Sequence, residues 1–74
     1  MATNSLKDMS VRLGQKIQKL REQKKLSQET LAEKLDISRT YIAYIETGSR
    51  TPSLKVLHDI SAIFDVKMEE LFKF

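Results

Sequence analysis

The amino-acid sequence predicts an all-α fold, a compact bundle of five helices forming one domain. Three observations carry this expectation. Apolar residues recur at helical spacing along the chain, and no stretch alternates apolar and polar long enough to make a strand. The chain has only two glycines and one proline, with Gly48 and Pro52 close together, so there are few places to turn. At 74 residues it is long enough for one modest core.

The first helix is expected from about Ser10 to Lys24, with Val11, Leu13, Ile17 and Leu20 on its apolar face. Residues 1–9 read as a flexible tail, leaving 10–74 as the folded domain. Ser27 can cap the second helix by accepting from its exposed first-turn amides, and Glu29 sits near that positive end. Leu31, Ala32 and Leu35 form its buried stripe, and Asp36-Ile37 makes the turn. Ser38 caps a third helix carrying Ile42 and Ile45, which stops at Gly48, a residue free to take the left-handed conformation. After the Ser49–Pro52 loop, Pro52 and Ser53 open a fourth helix with Leu54, Leu57, Ile60, Ile63 and Phe64. Asp65 and Val66 break it, and a short fifth helix follows from about Lys67 to Phe72.

Composition removes several function classes. With 41% hydrophobic and 31% charged residues the chain reads as folded rather than disordered. It has no cysteine, so neither a disulfide framework nor a thiolate zinc site is open to it, and a reducing compartment such as the cytoplasm fits. No apolar run approaches the ~18 residues of a membrane span, and the polar start Met1–Ser5 does not read as a signal peptide. The lone His58 has no partners for a metal site, and no nucleophile, acid and base converge. The expectation is therefore a non-enzyme without metal or cofactor. Charge is uneven. Residues 1–50 hold ten Lys/Arg against six Asp/Glu, while residues 51–74 hold three against four. A basic front and an apolar, near-neutral rear suit a protein that meets a polyanion with one end and a second copy of itself with the other.

The most informative segment is Ser27–Pro52, two short helices either side of a tight turn. A small residue at Ala32 permits their close approach, and Ile42 and Ile45 lock the second onto the core. Arg39, Thr40, Ala43, Tyr44 and Thr47 then face outward, on a rod that fits a major groove ~12 Å wide. Arg39 can bond guanine O6 and N7 together, and Thr40 offers a hydroxyl and a methyl. Tyr44 lies one turn further on, in reach of base or backbone. Arg50, flanked by Ser49 and Thr51, is suited to a phosphate or the minor groove. Phe64, Val66, Met68, Leu71, Phe72 and Phe74 exceed what a backstop to the third helix needs, so part of that set is expected to form a twofold dimer interface.

These residues resemble the Cro/C1-type (XRE-like) helix-turn-helix regulators, a family that includes lambdoid phage repressors. The resemblance runs through Leu26-Ser27-Gln28-Glu29-Thr30-Leu31-Ala32, Ile37-Ser38, Tyr41-Ile42, Ile45-Glu46-Thr47-Gly48 and Arg50-Thr51-Pro52, within residues 10–72. Ser38 to Ala43 followed by Ile45-Glu46 looks most like the controller proteins of restriction–modification systems, small homodimers that regulate their own promoter and the endonuclease gene. The resemblance implies a lambda-repressor-like bundle and a homodimer on an inverted-repeat operator in double-stranded DNA, with RNA polymerase a further candidate partner. Phage-type repressor and antitoxin are the alternatives. It implies a base-reading group of Arg39, Thr40, Ala43 and Tyr44. The backbone group would be Gln28, Ser38, Tyr41, Thr47, Ser49 and Arg50. Gln28 becomes a phosphate clamp at the second helix's positive end. Ser38 caps, and can also touch phosphate. Tyr41 lies either near the DNA backbone or packed on the second helix. Glu46 is implied to pair with Arg21, tying the first helix to the third. Two positions depart from the family pattern. Asp36 replaces the usual turn glycine, and Lys67 replaces a capping Ser or Thr.

Overall fold

Serine opens every α-helix among the described residues. In the computed structural model, which describes residues 5–74, the order is α1 (Leu6–Gln23), α2 (Gln28–Leu35), α3 (Arg39–Thr47) and α4 (Leu54–Phe64), closed by a 3₁₀ helix at Met68–Phe72. The N-caps Ser5, Ser27, Ser38 and Ser53 all have extended backbones, and their Oγ atoms accept from the amides of Asp8, Thr30, Tyr41 and Val56 at 3.0–3.2 Å. Each cap satisfies an amide the helix itself leaves orphaned, a contribution of about 1 kcal/mol. The far ends use the left-handed region. Gly48 closes α3 at φ 81°, and Asp36 and Asp65 close α2 and α4 at φ 58° and 57°. Aspartate tolerates this region better than most residues, so the family's turn geometry survives at Asp36 without glycine.

The helices wrap one core. Ile17 of α1, Leu31 of α2, Ile42 and Ile45 of α3, Ile60 of α4 and Leu71 of the 3₁₀ helix are sealed from solvent. Ala32 is buried where α2 and α3 meet, and Ile37 in the turn between them packs against the same cluster. α1 comes close against the backbone of α3 at Gly14. A Cβ there would collide with the Ile45 carbonyl oxygen and sit 2.8 Å from that of Glu46. The packing therefore requires a residue without a side chain in mid-helix, where glycine otherwise costs up to about 1 kcal/mol.

Three expectations need correcting. The first helix begins at Leu6, capped by Ser5, so residues 6–9 are helical rather than tail; residues 1–4 of the expected tail lie outside the described residues. Leu6 and Met9 are exposed, so no apolar periodicity marked this turn; the Ser5 cap and Asp8 in the first turn did. The expected fifth α-helix is a five-residue 3₁₀ helix, leaving four α-helices among the described residues. Lys67 provides no side-chain cap there, and five residues are too few to repay helix nucleation. Finally, Phe64 (3% exposed) and Leu71 (0%) belong to the chain's own core, so they cannot form the interface assigned to them. Their helical spacing looked the same as that of surface apolar residues, and tertiary packing decided between the two.

Candidate nucleic-acid interface

α3 divides its residues by face. Ile42, Ile45 and Glu46 point inward, while Arg39, Thr40, Tyr44 and Thr47 are exposed and Ala43 is half-buried. Tyr44 keeps 46% of its surface open to solvent. Among the described residues, no hydrogen bond or ion pair engages the Arg39 or Arg50 guanidinium, so both are free to receive a ligand. The helix is held rigidly behind this face by two isoleucines with no solvent exposure.

The backbone set is more varied. Ser38 Oγ is occupied in capping, accepting from the Tyr41 amide at 3.0 Å. Tyr41 lies half-buried, packed against the core. Thr47 Oγ1 donates to the Tyr44 carbonyl at 3.2 Å and shares a 3.0 Å hydrogen bond with Ser49 Oγ. Arg50 extends from the loop beyond them, its amide donating to the same carbonyl at 3.2 Å. Gln28, Ser27, Glu29 and Arg39, together with the edge of Arg21, line a shallow depression between the starts of α2 and α3.

Beneath that depression lies a buried polar network. Arg21 Nε donates to Glu46 Oε2 at 2.6 Å and Nη2 donates to Oε1 at 3.1 Å, a two-pronged grip. Arg21 is 8% exposed and Glu46 5%. The hydrogen bonding to the Glu46 carboxylate, more than its bare charge, lifts the Arg21 pKa above the ordinary arginine value and outweighs the opposing effect of burial. The remaining prong, Nη1, donates to the Leu26 carbonyl at 2.7 Å. Gln28 Nε2 donates to Glu46 Oε1 at 2.9 Å. The pair thus ties α1 to α3, and it also holds the α1–α2 turn and the first residue of α2. One amide hydrogen of Gln28 is spent on Glu46, and its second hydrogen stays available for an anion.

Sequence reasoning missed the Gln28 link to Glu46, because nothing in spacing joins residues 18 positions apart, and it missed the bond from Arg21 to the Leu26 carbonyl. It also missed Gly14, although an isolated glycine inside a helical pattern is a signal of close backbone approach. A third omission is the hydrogen bond between Ser10 on α1 and Thr51 in the loop after α3, at 2.6 Å. Away from this face, the interface candidates Val66 and Met68 are half-buried, and Phe72 and Phe74 are exposed at 41% and 52%. His58 is exposed on α4 beside Asp59.

A short helix pair at a tight turn, with a free cationic outer face, defines a helix-turn-helix protein. Residues 17–71 match the helix-turn-helix family model, and the chain belongs to that family, as a DNA-binding transcriptional regulator of the Cro/C1 type. It is 44% identical over 68 residues to control protein C.MunI of a Mycoplasma species, spanning 90% of this chain and 92% of that one. It superposes on the restriction–modification controller protein C.AhdI of Aeromonas hydrophila with a TM-score of 0.79 and 39% identity, covering 84% and 94% of the two chains. It is also similar to SinR, the master regulator for biofilm formation, in its complex with DNA: TM-score 0.76 and 35% identity, over 82% and 98% of the chains. Among the described residues no helix is long and apolar enough to cross a membrane.

Proposed function

We propose that the chain acts as a homodimer on an inverted-repeat operator in double-stranded DNA, as the controller of a restriction–modification system. In this role it regulates its own promoter and that of the endonuclease gene. The observation that carries the reading is the outer face of α3, where Arg39, Thr40 and Tyr44 stand exposed on a rigid helix with no protein partner among the described residues. Arg39 reads base edges; Gln28 and Arg50 hold phosphates on either side. The likeness to C.AhdI, described as a restriction–modification controller protein, and to the control protein C.MunI supports the choice within the regulator class. Exposed Phe72 and Phe74, with half-buried Val66 and Met68, offer the surface for the second copy. A twofold dimer of this kind places two α3 helices about 34 Å apart, one turn of DNA. RNA polymerase is a further candidate partner.

Selection of bound sites from random duplexes tests the reading. The expected product is an inverted repeat with half-sites about one turn apart. Repeating the selection with Arg39→Ala should relax preference at one base pair per half-site, at a cost of about 1–3 kcal/mol. Equal loss for every sequence would remove Arg39 from base reading. A methyltransferase and an endonuclease gene beside the coding sequence would support the controller assignment, and their absence would count against it.

A further inference from the structure

The loop that presents Arg50 is held from two sides. On one side the Tyr44 carbonyl oxygen accepts from the Ser49 amide at 2.9 Å and the Arg50 amide at 3.2 Å, while Thr47 braces Ser49. On the other side Thr51 Oγ1 lies 2.6 Å from Ser10 Oγ, a bond across 41 residues of chain. Ser10 is 6% exposed, on the face of α1 that meets the end of α3. The next residue, Val11, is packed so tightly under Gly48 that a Cβ on that glycine would come within 2.6 Å of it. Pro52 is buried immediately after Thr51, and Ser53 caps α4. A serine inside a helix ordinarily turns its hydroxyl back to a carbonyl one turn earlier. Ser10 instead spends its hydroxyl on the loop.

The geometry points to the Ser10–Thr51 pair as a positioning latch for Arg50. Ser10 is covered and does not reach DNA; it acts by fixing Thr51, and so the neighbouring backbone from which the Arg50 side chain projects. With the latch closed, the loop is already ordered when a phosphate arrives. With it open, part of the binding free energy is spent on ordering the loop. The inference rests on reading Arg50 as a DNA contact, and it adds a determinant on α1, outside the helix-turn-helix itself.

The test is a binding series on the full chain with the selected operator duplex, beside amide hydrogen exchange of the free protein. Ser10→Ala and Thr51→Val should each weaken binding about two- to tenfold. Combined, they should weaken it no more than either does alone, because they break one bond. Thr51→Ser, which keeps the hydroxyl, should bind like the parent. In an Arg50→Ala background neither latch variant should have a further effect, and in the free protein Ser10→Ala should speed exchange at the Arg50 amide. Thr51 is exposed, so Thr51→Val keeps the series readable if Ser10→Ala lowers stability. Should Arg50→Ala weaken binding while Ser10→Ala changes neither affinity nor Arg50 exchange, the latch is wrong and the contact stands. Loss with Thr51→Val but not with Ser10→Ala would make Thr51 a direct contact and overturn the latch. Full affinity in Arg50→Ala would instead overturn the phosphate reading beneath it.

Discussion

Arg21 and Glu46 are worth more as a joint than as a charge pair. Two charges so deeply buried lose hydration comparable to what their attraction returns, so their net contribution is small, yet breaking one side strands the other. Arg21→Met should therefore cost about 3–5 kcal/mol in urea denaturation, whereas the double replacement Arg21→Met/Glu46→Leu should recover much of that loss. The double variant should still bind DNA less well than the parent, because Gln28 loses the carboxylate that holds its amide. A loss in the double variant equal to the sum of the two single losses would show that the network does not work as a unit. The two left-handed carboxylate caps make a useful contrast with Lys25, which also sits at φ 58°. Lysine lacks the short polar side chain that eases this conformation, so Lys25→Gly should raise stability by about 1 kcal/mol and Asp36→Gly by less. No gain at Lys25 would mean that its conformation relaxes without cost.

At the scale of elements, the contact between α1 and α3 decides the sign of a substitution that propensity alone would misjudge. Glycine to alanine in mid-helix should add about 1 kcal/mol of helix stability. Gly14→Ala should instead destabilise, by roughly 1–3 kcal/mol, because the new Cβ meets the backbone carbonyls of α3 and not a flexible side chain. Thermal unfolding reads the sign directly. α4 carries a pH-dependent feature. The hydrogen bond from Lys55, at 2.8 Å, holds the Asp59 carboxyl below its ordinary value, and His58 adds to this. A depressed carboxyl stabilises the folded state above the unfolded aspartate range, and that contribution disappears as pH falls through that range and then through the lower folded value. Asp59→Asn should therefore lose slightly less stability on acidification than the parent at low salt, and the difference should shrink at high salt, since Lys55 is exposed and Asp59 only partly covered. The order α1 to α4 was legible because serine caps, apolar periodicity and a left-handed Gly48 are local signals. The start of α1 was not, since Leu6 and Met9 face solvent and carry no periodic stripe. The closing 3₁₀ helix was half legible: Lys67 marked a missing cap without saying which helix would result.

For the whole molecule, the two ends have different work. The basic front half carries the free face of α3, and the rear carries exposed aromatic surface. The exposed set on α3 could be read from sequence because outward positions on that helix follow from which isoleucines point in. The interface set could not be sorted, because Phe64, Leu71 and Phe72 have similar side chains and only the packed chain shows that the first two are inside. Phe72 is the residue left to test dimerisation: Phe72→Glu should shift sedimentation toward monomer and weaken operator binding, while keeping the helical circular dichroism of the parent. An unchanged dimer would place the second copy elsewhere. The most direct measurement of the account as a whole is the backbone amide shift map on titration with the selected operator duplex. The largest shifts should fall at Arg39, Thr40, Ala43 and Tyr44, with Gln28 and the Ser49–Arg50 loop beside them. Shifts confined to α4 and the 3₁₀ helix, with α3 silent, would contradict it.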